Sequence, residues 1–523
     1  MKKKFLLLTS LFLVGCASVR FKGDPIITNN RQAISTQIDA ERRNHWARLD
    51  LLRDSIPGMS VNRAYKELIQ NKKGDTVVVA IIDSGMDIDH PALVNQIWIN
   101  TDEIPNNQID DDQNGYVDDV NGWNFLGASE NENLEYVRLQ KLEQTDSEAF
   151  DAFEEKRQKE LKKYTSQLAN VLFLIEEIPL AKKKIQEALG KEDFTLEEAS
   201  QLSPLRVELS EALRLLAYVE EADISAPLLQ KALKQYQDAL LYHHNIDFEG
   251  RSIVGDDPDN INDKSYGDAR VWGPKEADID HGTHVAGIIG AVAWANGSVG
   301  IATNVKLMPL RAIPNGDEYD KDIALAIRYA VDNGAKIINA SFGKGYSPHA
   351  NWVYEAIRYA ADHDVLIVHA AGNDNENIDP GFEPNFPSDY SNGNEIAGNV
   401  ITVGASTWDY NQDLIASFSN FGKINVDVFA PGYKIYSSTP NKQYDRFDGT
   451  SMAAPNVSGV AAVLRSFYPK YKAAKIKKII LDSGLPMYSQ LKVPSGDGLE
   501  KPKYFSQSGK IVNLYNALLA ASK

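Results

Sequence analysis

Apolar positions along the chain fall into two periodicities. Residues 76–82 (Thr-Val-Val-Val-Ala-Ile-Ile) form an almost unbroken β-branched run, the pattern of a strand buried on both faces of a parallel sheet. Similar runs recur at Lys306–Arg311, Ala335–Ala340, Val365–Ala370, Val400–Val403 and Val426–Phe429. Between several of them the period becomes helical. Ile323, Ile327, Ala330 and Val331 line one face before Gly334 stops the helix, and Ala356, Ile357, Ala360 and Ala361 repeat the pattern. Strand alternating with helix predicts an α/β fold, a mostly parallel central sheet flanked by helices. Ligands of such sheets bind beyond the carboxyl ends of the strands.

From about Glu130 to Tyr242 the alternation stops, and the chain is rich in Glu, Lys, Leu and Ala with almost no Gly. Leu161, Tyr164, Leu168, Val171, Ile175 and Ile178 follow 3,4 spacing, the seam of one helix packing on another. Thr195 with Glu198 has the form of a capping box, and Ser203-Pro204 of a second helix start. This stretch reads as a helical hairpin or small bundle inserted into the α/β domain, either a surface elaboration or an arm near the cleft. The domain would then comprise residues 46–125 and 245–523, interrupted by the insertion at 126–244.

Composition narrows the function classes. With 43% hydrophobic residues the chain can bury a substantial core, and a formal charge of −17 leaves no electrostatic footprint for nucleic acid. Lys2, Lys3 and Lys4 precede the apolar run from Phe5 to Val14, too short to span a bilayer as a helix, so residues 1–15 read as a signal peptide. The run ends in Leu13-Val14-Gly15-Cys16, which resembles the lipobox of bacterial lipoproteins. That resemblance implies a lipid on Cys16, the chain's single cysteine, with residues 16–45 as a tether. By the same resemblance, Ala17 after the cysteine, in place of Asp, implies release from the inner membrane, so an outer membrane or cell-surface location is expected.

Three segments carry candidate chemistry. Asp83 ends the first buried strand in Asp83-Ser84-Gly85, where a held carboxylate can orient an imidazole. His281 opens His281-Gly282-Thr283-His284 at a helix N-terminus, and on composition alone His281 and His284 rank equally. Ser451 lies in Gly449-Thr450-Ser451-Met452-Ala453-Ala454-Pro455, followed by Val457, Val460, Ala461 and Leu464 at helical spacing. A serine there meets free backbone N–H groups and the positive end of a helix, both suited to an oxyanion.

The order Asp, His, Ser in these contexts closely resembles the subtilisin-like serine peptidases, a chain order already on record for subtilisin itself. The resemblance implies Asp83, His281 and Ser451 as the triad, with His281 as the base. It further implies that Asn373, in Ala370-Ala371-Gly372-Asn373, donates its amide to the oxyanion. Asn339-Ala340-Ser341-Phe342-Gly343 matches the family's peptide-pairing edge, giving Ser341, Phe342 and Gly343 as substrate-binding residues. No G-x-S-x-G occurs, which removes the usual lipase or esterase reading. The expected function is therefore a serine endopeptidase acting on proteins or peptides. The alternative is a catalytically silent lipoprotein that binds peptides or acts as a scaffold.

The family usually carries a folded inhibitory propeptide. The roughly sixty residues between Cys16 and the first strand lack a small α/β pattern, so removal of a large propeptide is not expected. No cofactor is needed for the chemistry. Asp110, Asp112, Asn114, Tyr116 and Asp118, with Gly115 between them, resemble an EF-hand-type calcium loop, although Asn121 stands at the twelfth position where that loop has Glu. A structural calcium ion and a solvated acidic turn both fit this segment. A second acidic stretch, Asp256, Asp257, Asp259 and Asp263, reads as plain surface.

Overall fold

The computed structural model describes residues 19–28, 32–35, 38–145, 147–202, 207–274, 278–292, 300–382, 384–391, 393–496 and 498–523. The signal-peptide run and Cys16, and the helix start read at Ser203-Pro204, lie outside these residues.

The β-branched runs form a sheet with strands β1 (Val77–Asp83), β2 (Trp123–Asn124), β3 (Val305–Arg311), β4 (Ile337–Ala340), β5 (Leu366–Ala370), β6 (Val400–Ser406) and β7 (Val428–Pro431). A hairpin, β8 (Ile435–Thr439) with β9 (Gln443–Phe447), stands apart, and β10 (Leu485–Pro486) and β11 (Lys510–Ile511) close one edge. The order is β10-β11-β7-β6-β5-β4-β1-β3-β2, and every pair is parallel except β10 with β11. Both faces of β1 are covered, as the continuous apolar run requires. Val77, Val79 and Ile81 point into one core cluster, and Ala80 and Ile82 into the other. Each fully buried Val or Ile contributes about 1.5–3 kcal/mol through area removed from water.

Between β2 and the next long strand the chain leaves the sheet and builds a helical arm, whose described α-helices are α1 (Glu135–Leu142), α2 (Glu148–Leu189), α3 (Leu196–Ser200), α4 (Val207–Glu221) and α5 (Ala226–Asp238). Helix α2 runs for 42 residues, started by Ser147, whose hydroxyl accepts from Phe150 N–H. Its predicted seam packs against α4 and α5, half-buried along most of its length, and Ile185 and Ala181 meet Ala212 and Leu216 in a small separate core. Thr195 and Glu198 make the reciprocal capping box. The strands of chain entering and leaving the arm are tied together at its base. Asn133 Nδ2 donates to the Tyr242 and Asn245 carbonyls at 2.6 and 2.9 Å, and the Tyr136 hydroxyl lies 2.7 Å from His244 Nδ1.

Helix α6 (Asp280–Gly290) returns the chain to the domain, followed by α7 (Asp320–Asp332) and α8 (Ala350–Asp362) on one face of the sheet and α9 (Thr450–Phe467), α10 (Ala473–Ser483) and α11 (Leu514–Ala521) on the other. Residues read as a tether also pack on this body. Phe21, Ile26 and Ile38 are buried in the main core, and Ile26 N–H donates to Asn516 Oδ1 at 2.8 Å. Among the described residues no helix is long and apolar enough to cross a membrane.

In the second acidic stretch Asp257 and Asp259 are exposed as read and Asp263 is half-buried, but Asp256 differs. The Asp256 side chain is fully buried, 2.6 Å from Arg251 Nε and 2.5 Å from Lys321 Nζ. Two buried cations must be neutralised, and that requirement pulls the carboxylate inward.

Candidate active site

Asp83, the last residue of β1, is 3% exposed. Ser84 N–H donates to its Oδ1 at 2.8 Å, and His281 Nδ1 lies 2.7 Å from the same oxygen. A carboxylate only accepts, so the imidazole carries its proton on Nδ1 and keeps the Nε2 lone pair open. Burial alone lowers the basicity of His281. The adjacent Asp83 charge and hydrogen bond, with Asp278 farther off, outweigh it and raise the pKa above the ordinary histidine value. Gly282 permits this approach, because a Cβ there would stand 2.0 Å from the Gly85 carbonyl oxygen.

His284, level with His281 in the sequence reading, is taken up by the core. It is fully buried, its Nε2 lies 3.1 Å from the Asp445 carbonyl, and its ring stacks on Phe447 at 4.2 Å. Burial pushes its pKa down to about 3. It stays neutral and fully buried.

Ser451 occupies the first turn of α9, which packs against α6. Its hydroxyl donates to the Ser341 carbonyl at 3.1 Å. Pro455, four residues on, has no N–H to offer the Ser451 carbonyl, so that acceptor is free, and Ser341 Oγ donates to it at 2.9 Å. Asn339 Nδ2 in turn donates to Ser341 Oγ at 2.9 Å, and Ser458 Oγ to Asn339 Oδ1 at 2.8 Å. This relay pins the start of α9 to the end of β4. Asn373 follows β5, and its Oδ1 accepts from Thr450 N–H at 2.8 Å and from Thr450 Oγ1 at 3.0 Å. With the oxygen so engaged, the amide nitrogen must face the other way. Gly449 has φ +152°, and the point where its Cβ would stand lies 3.5 Å from Ser451 N and 3.7 Å from Asn373 Nδ2. Ser451 N and Asn373 Nδ2 therefore both lie within 4 Å of one point at Gly449.

The sequence profile of the subtilase family matches residues 74–499. This chain belongs to the subtilase family. It is 42% identical over 189 residues to the thermophilic serine proteinase of Bacillus sp. (strain AK1), covering 36% of this chain and 43% of that protein. It is 33% identical over 260 residues to fervidolysin of Fervidobacterium pennivorans, covering 45% of this chain and 34% of the relative. With thermitase of Thermoactinomyces vulgaris it shares 38% identity over 188 residues, 36% of this chain and 61% of the relative. The chain thus spans less than two thirds of the length of each of these three proteins.

In this subtilase the segment read as the substrate edge leaves β4 beside Ser451. Ser341 is buried, Phe342 half-buried and Gly343 exposed, and the Phe342 carbonyl accepts from His369 Nε2 at 2.9 Å. Thr450, Asn339 and Ser458 are contributors that motif reading passed over. Asn339 carried a usable signal, since a polar residue within a strand buried on both faces must find a partner.

The acidic loop sits apart from this cleft's polar cluster. Asp110 accepts from Asn114 N–H and Gly115 N–H, Asp118 accepts from Asn107 N–H and Gln108 N–H, and the Tyr116 ring packs among Trp123, Phe125 and Tyr329. Asn114 Nδ2 bridges Asp112 and Asp119, each at 3.0 Å. Glu103, Asp112 and Asp119 each bring a ligand atom within 4.8 Å of the others, so of the residues read from the sequence only Asp112 joins this group. Burial raises the pKa of Glu103 and Asp119, with neighbouring carboxylates adding to it. Two buried, mutually repelling carboxylates and an exposed third suit a hard, oxygen-preferring cation.

Proposed function

We propose that this subtilase is a serine endopeptidase that hydrolyses peptide bonds of proteins. His281 Nε2 takes the proton of Ser451 Oγ as that oxygen forms its bond to the scissile carbonyl carbon. Asp83 holds the imidazole by Nδ1–H and stabilises the imidazolium that results. The oxyanion is received by Ser451 N–H and Asn373 Nδ2. His281 then returns the proton to the departing amine, and water releases the acyl group by the reverse sequence. In the free protein the Ser451 hydroxyl rests on the Ser341 carbonyl. A peptide pairing along residues 341–343 brings a backbone N–H to that carbonyl and competes with the hydroxyl for it.

The strongest support is the 2.7 Å contact between Asp83 and His281, residues 198 positions apart. In the same reading the helical arm is an insertion into the peptidase domain, and Cys16 carries a lipid that holds the protein on an outer membrane or cell surface. Calcium is a structural ion at Glu103, Asp112 and Asp119, neutralising their charge without entering the reaction.

The test is labelling of the purified full-length protein with a fluorophosphonate probe in calcium-containing buffer, beside Ser451→Ala. Label on the parent and none on the variant is the expected result. A well-folded parent that takes no label would refute the reading and leave the peptide-binding lipoprotein in its place.

A further inference from the structure

A buried charge cluster lies directly under the peptide-binding edge. Lys344 follows Gly343, and its side chain is 2% exposed. Its ammonium donates to Glu135 Oε2 at 2.6 Å and to the Glu318 carbonyl at 2.7 Å, and lies 3.0 Å from Asp320 Oδ1. Glu135 belongs to α1, the first helix of the arm. Its backbone N–H donates to Asp317 Oδ2 at 2.7 Å, and its carboxylate also receives Arg138, whose guanidinium reaches on to the Asp317 and Glu318 carbonyls at 2.7 and 3.1 Å. A second arm contact lies two residues beyond Lys344. Phe153 of α2 meets the Tyr346 ring edge-on at 5.7 Å, and Lys156 Nζ stands 5.0 Å from the same ring. On its other flank Lys344 exchanges two backbone hydrogen bonds with Phe386, at 3.0 and 2.9 Å.

A lysine buried this deeply stays charged only where carboxylates meet it, so Glu135 and Asp320 dictate where Lys344 sits. The Cα atoms of adjacent residues are locked about 3.8 Å apart, so any movement of Lys344 passes to Gly343. Glu135 is the arm's own contribution to that position.

We propose that Glu135 is a positioning residue for substrate: through Lys344 it holds residues 341–343 in register for an extended peptide, so the base of the arm is part of the peptide-binding site. This rests on the peptidase reading of the same cleft. It makes the arm a component of substrate recognition and not a passive elaboration of the surface.

Two measurements on the full-length chain separate the ideas. Fluorescein-labelled casein is titrated against Ser451→Ala with and without Glu135→Gln, read by fluorescence anisotropy. The rate of fluorophosphonate labelling is measured with Ser451 intact, with and without Glu135→Gln. Glu135→Gln is expected to weaken casein binding tenfold or more and to change the labelling rate less than threefold, because the small probe needs no edge strand. A purely structural role lowers both by one factor, the folded fraction, and that result would overturn the proposal. Unchanged casein binding, or none in the Ser451→Ala parent, overturns it equally. Lys344→Met should show the same split. If it does not fold, Glu135→Gln, close to isosteric, carries the test alone. Absent labelling of the otherwise unaltered chain would instead strike the peptidase reading.

Discussion

Replacing Asp83 with Asn isolates the electrostatic part of the proposed mechanism. Ser84 N–H and His281 Nδ1 both address Asp83 Oδ1, so an asparagine keeps its carbonyl oxygen there and retains both hydrogen bonds. The amide NH2 then takes the place of Oδ2, which is buried without a hydrogen-bond partner. The imidazole tautomer is thus preserved while the charge is lost. At 2.7 Å an opposite charge stabilises the imidazolium by at most about 6 kcal/mol at an effective dielectric of about 20. His281 is 38% exposed, and solvent screening lowers that ceiling. The expected loss in kcat lies between about 10² and 10⁴-fold, the upper end set by that ceiling; the loss of about 10⁴ known for this substitution in serine proteases comes from the wrong tautomer, which Ser84 N–H opposes here. The pH profile gives a second readout. His281 acts in its neutral form, and Asp83 raises its pKa, so in the parent activity rises with pH through a limb above the ordinary histidine value. In Asp83→Asn burial prevails and the limb moves to lower pH. Turnover of a chromogenic peptide from pH 5 to 10 measures both. A fall of less than tenfold with the limb unmoved would refute the assigned role of Asp83.

Asn373→Ala should lower kcat by about 10²–10³ with little change in KM, a magnitude measured on the corresponding donor of subtilisin; an equal rise in KM would place Asn373 in ground-state binding instead. Removing calcium with a chelator should lower the melting temperature by a few degrees, since loss of a site held at a hundredfold its Kd costs about 2.7 kcal/mol; an unchanged transition in differential scanning calorimetry would dismiss the ion. The N-terminal segment around Phe21 and Ile26 is seated on α11, so mass spectrometry of the mature protein should find these residues retained; a mature chain starting well beyond residue 60 would show that a large propeptide is removed.

The α/β class was legible because it depends on local order. Runs such as residues 76–82 lack the alternation of a one-faced strand, and the stripe from Ile323 to Val331 has the period of a helix, whatever lies around them. The helical stretch was legible for the same reason, from its 3,4 seam and from the Thr195 and Glu198 cap. Asp83, His281, Ser451 and Asn373 could be named because each stands in a short motif. Asp256 was misread because its burial depends on Arg251 and on Lys321, 65 residues away. The sequence by itself therefore determined the periodicities, the order of elements and the candidate residues. Only the tertiary structure decided that His281 faces Asp83 while His284 stacks on Phe447, that Thr450 holds the Asn373 side-chain oxygen, and that Glu135 reaches Lys344 across 209 positions. Those outcomes rest on contacts between distant segments, which exist only after the sheet has brought its strand ends together.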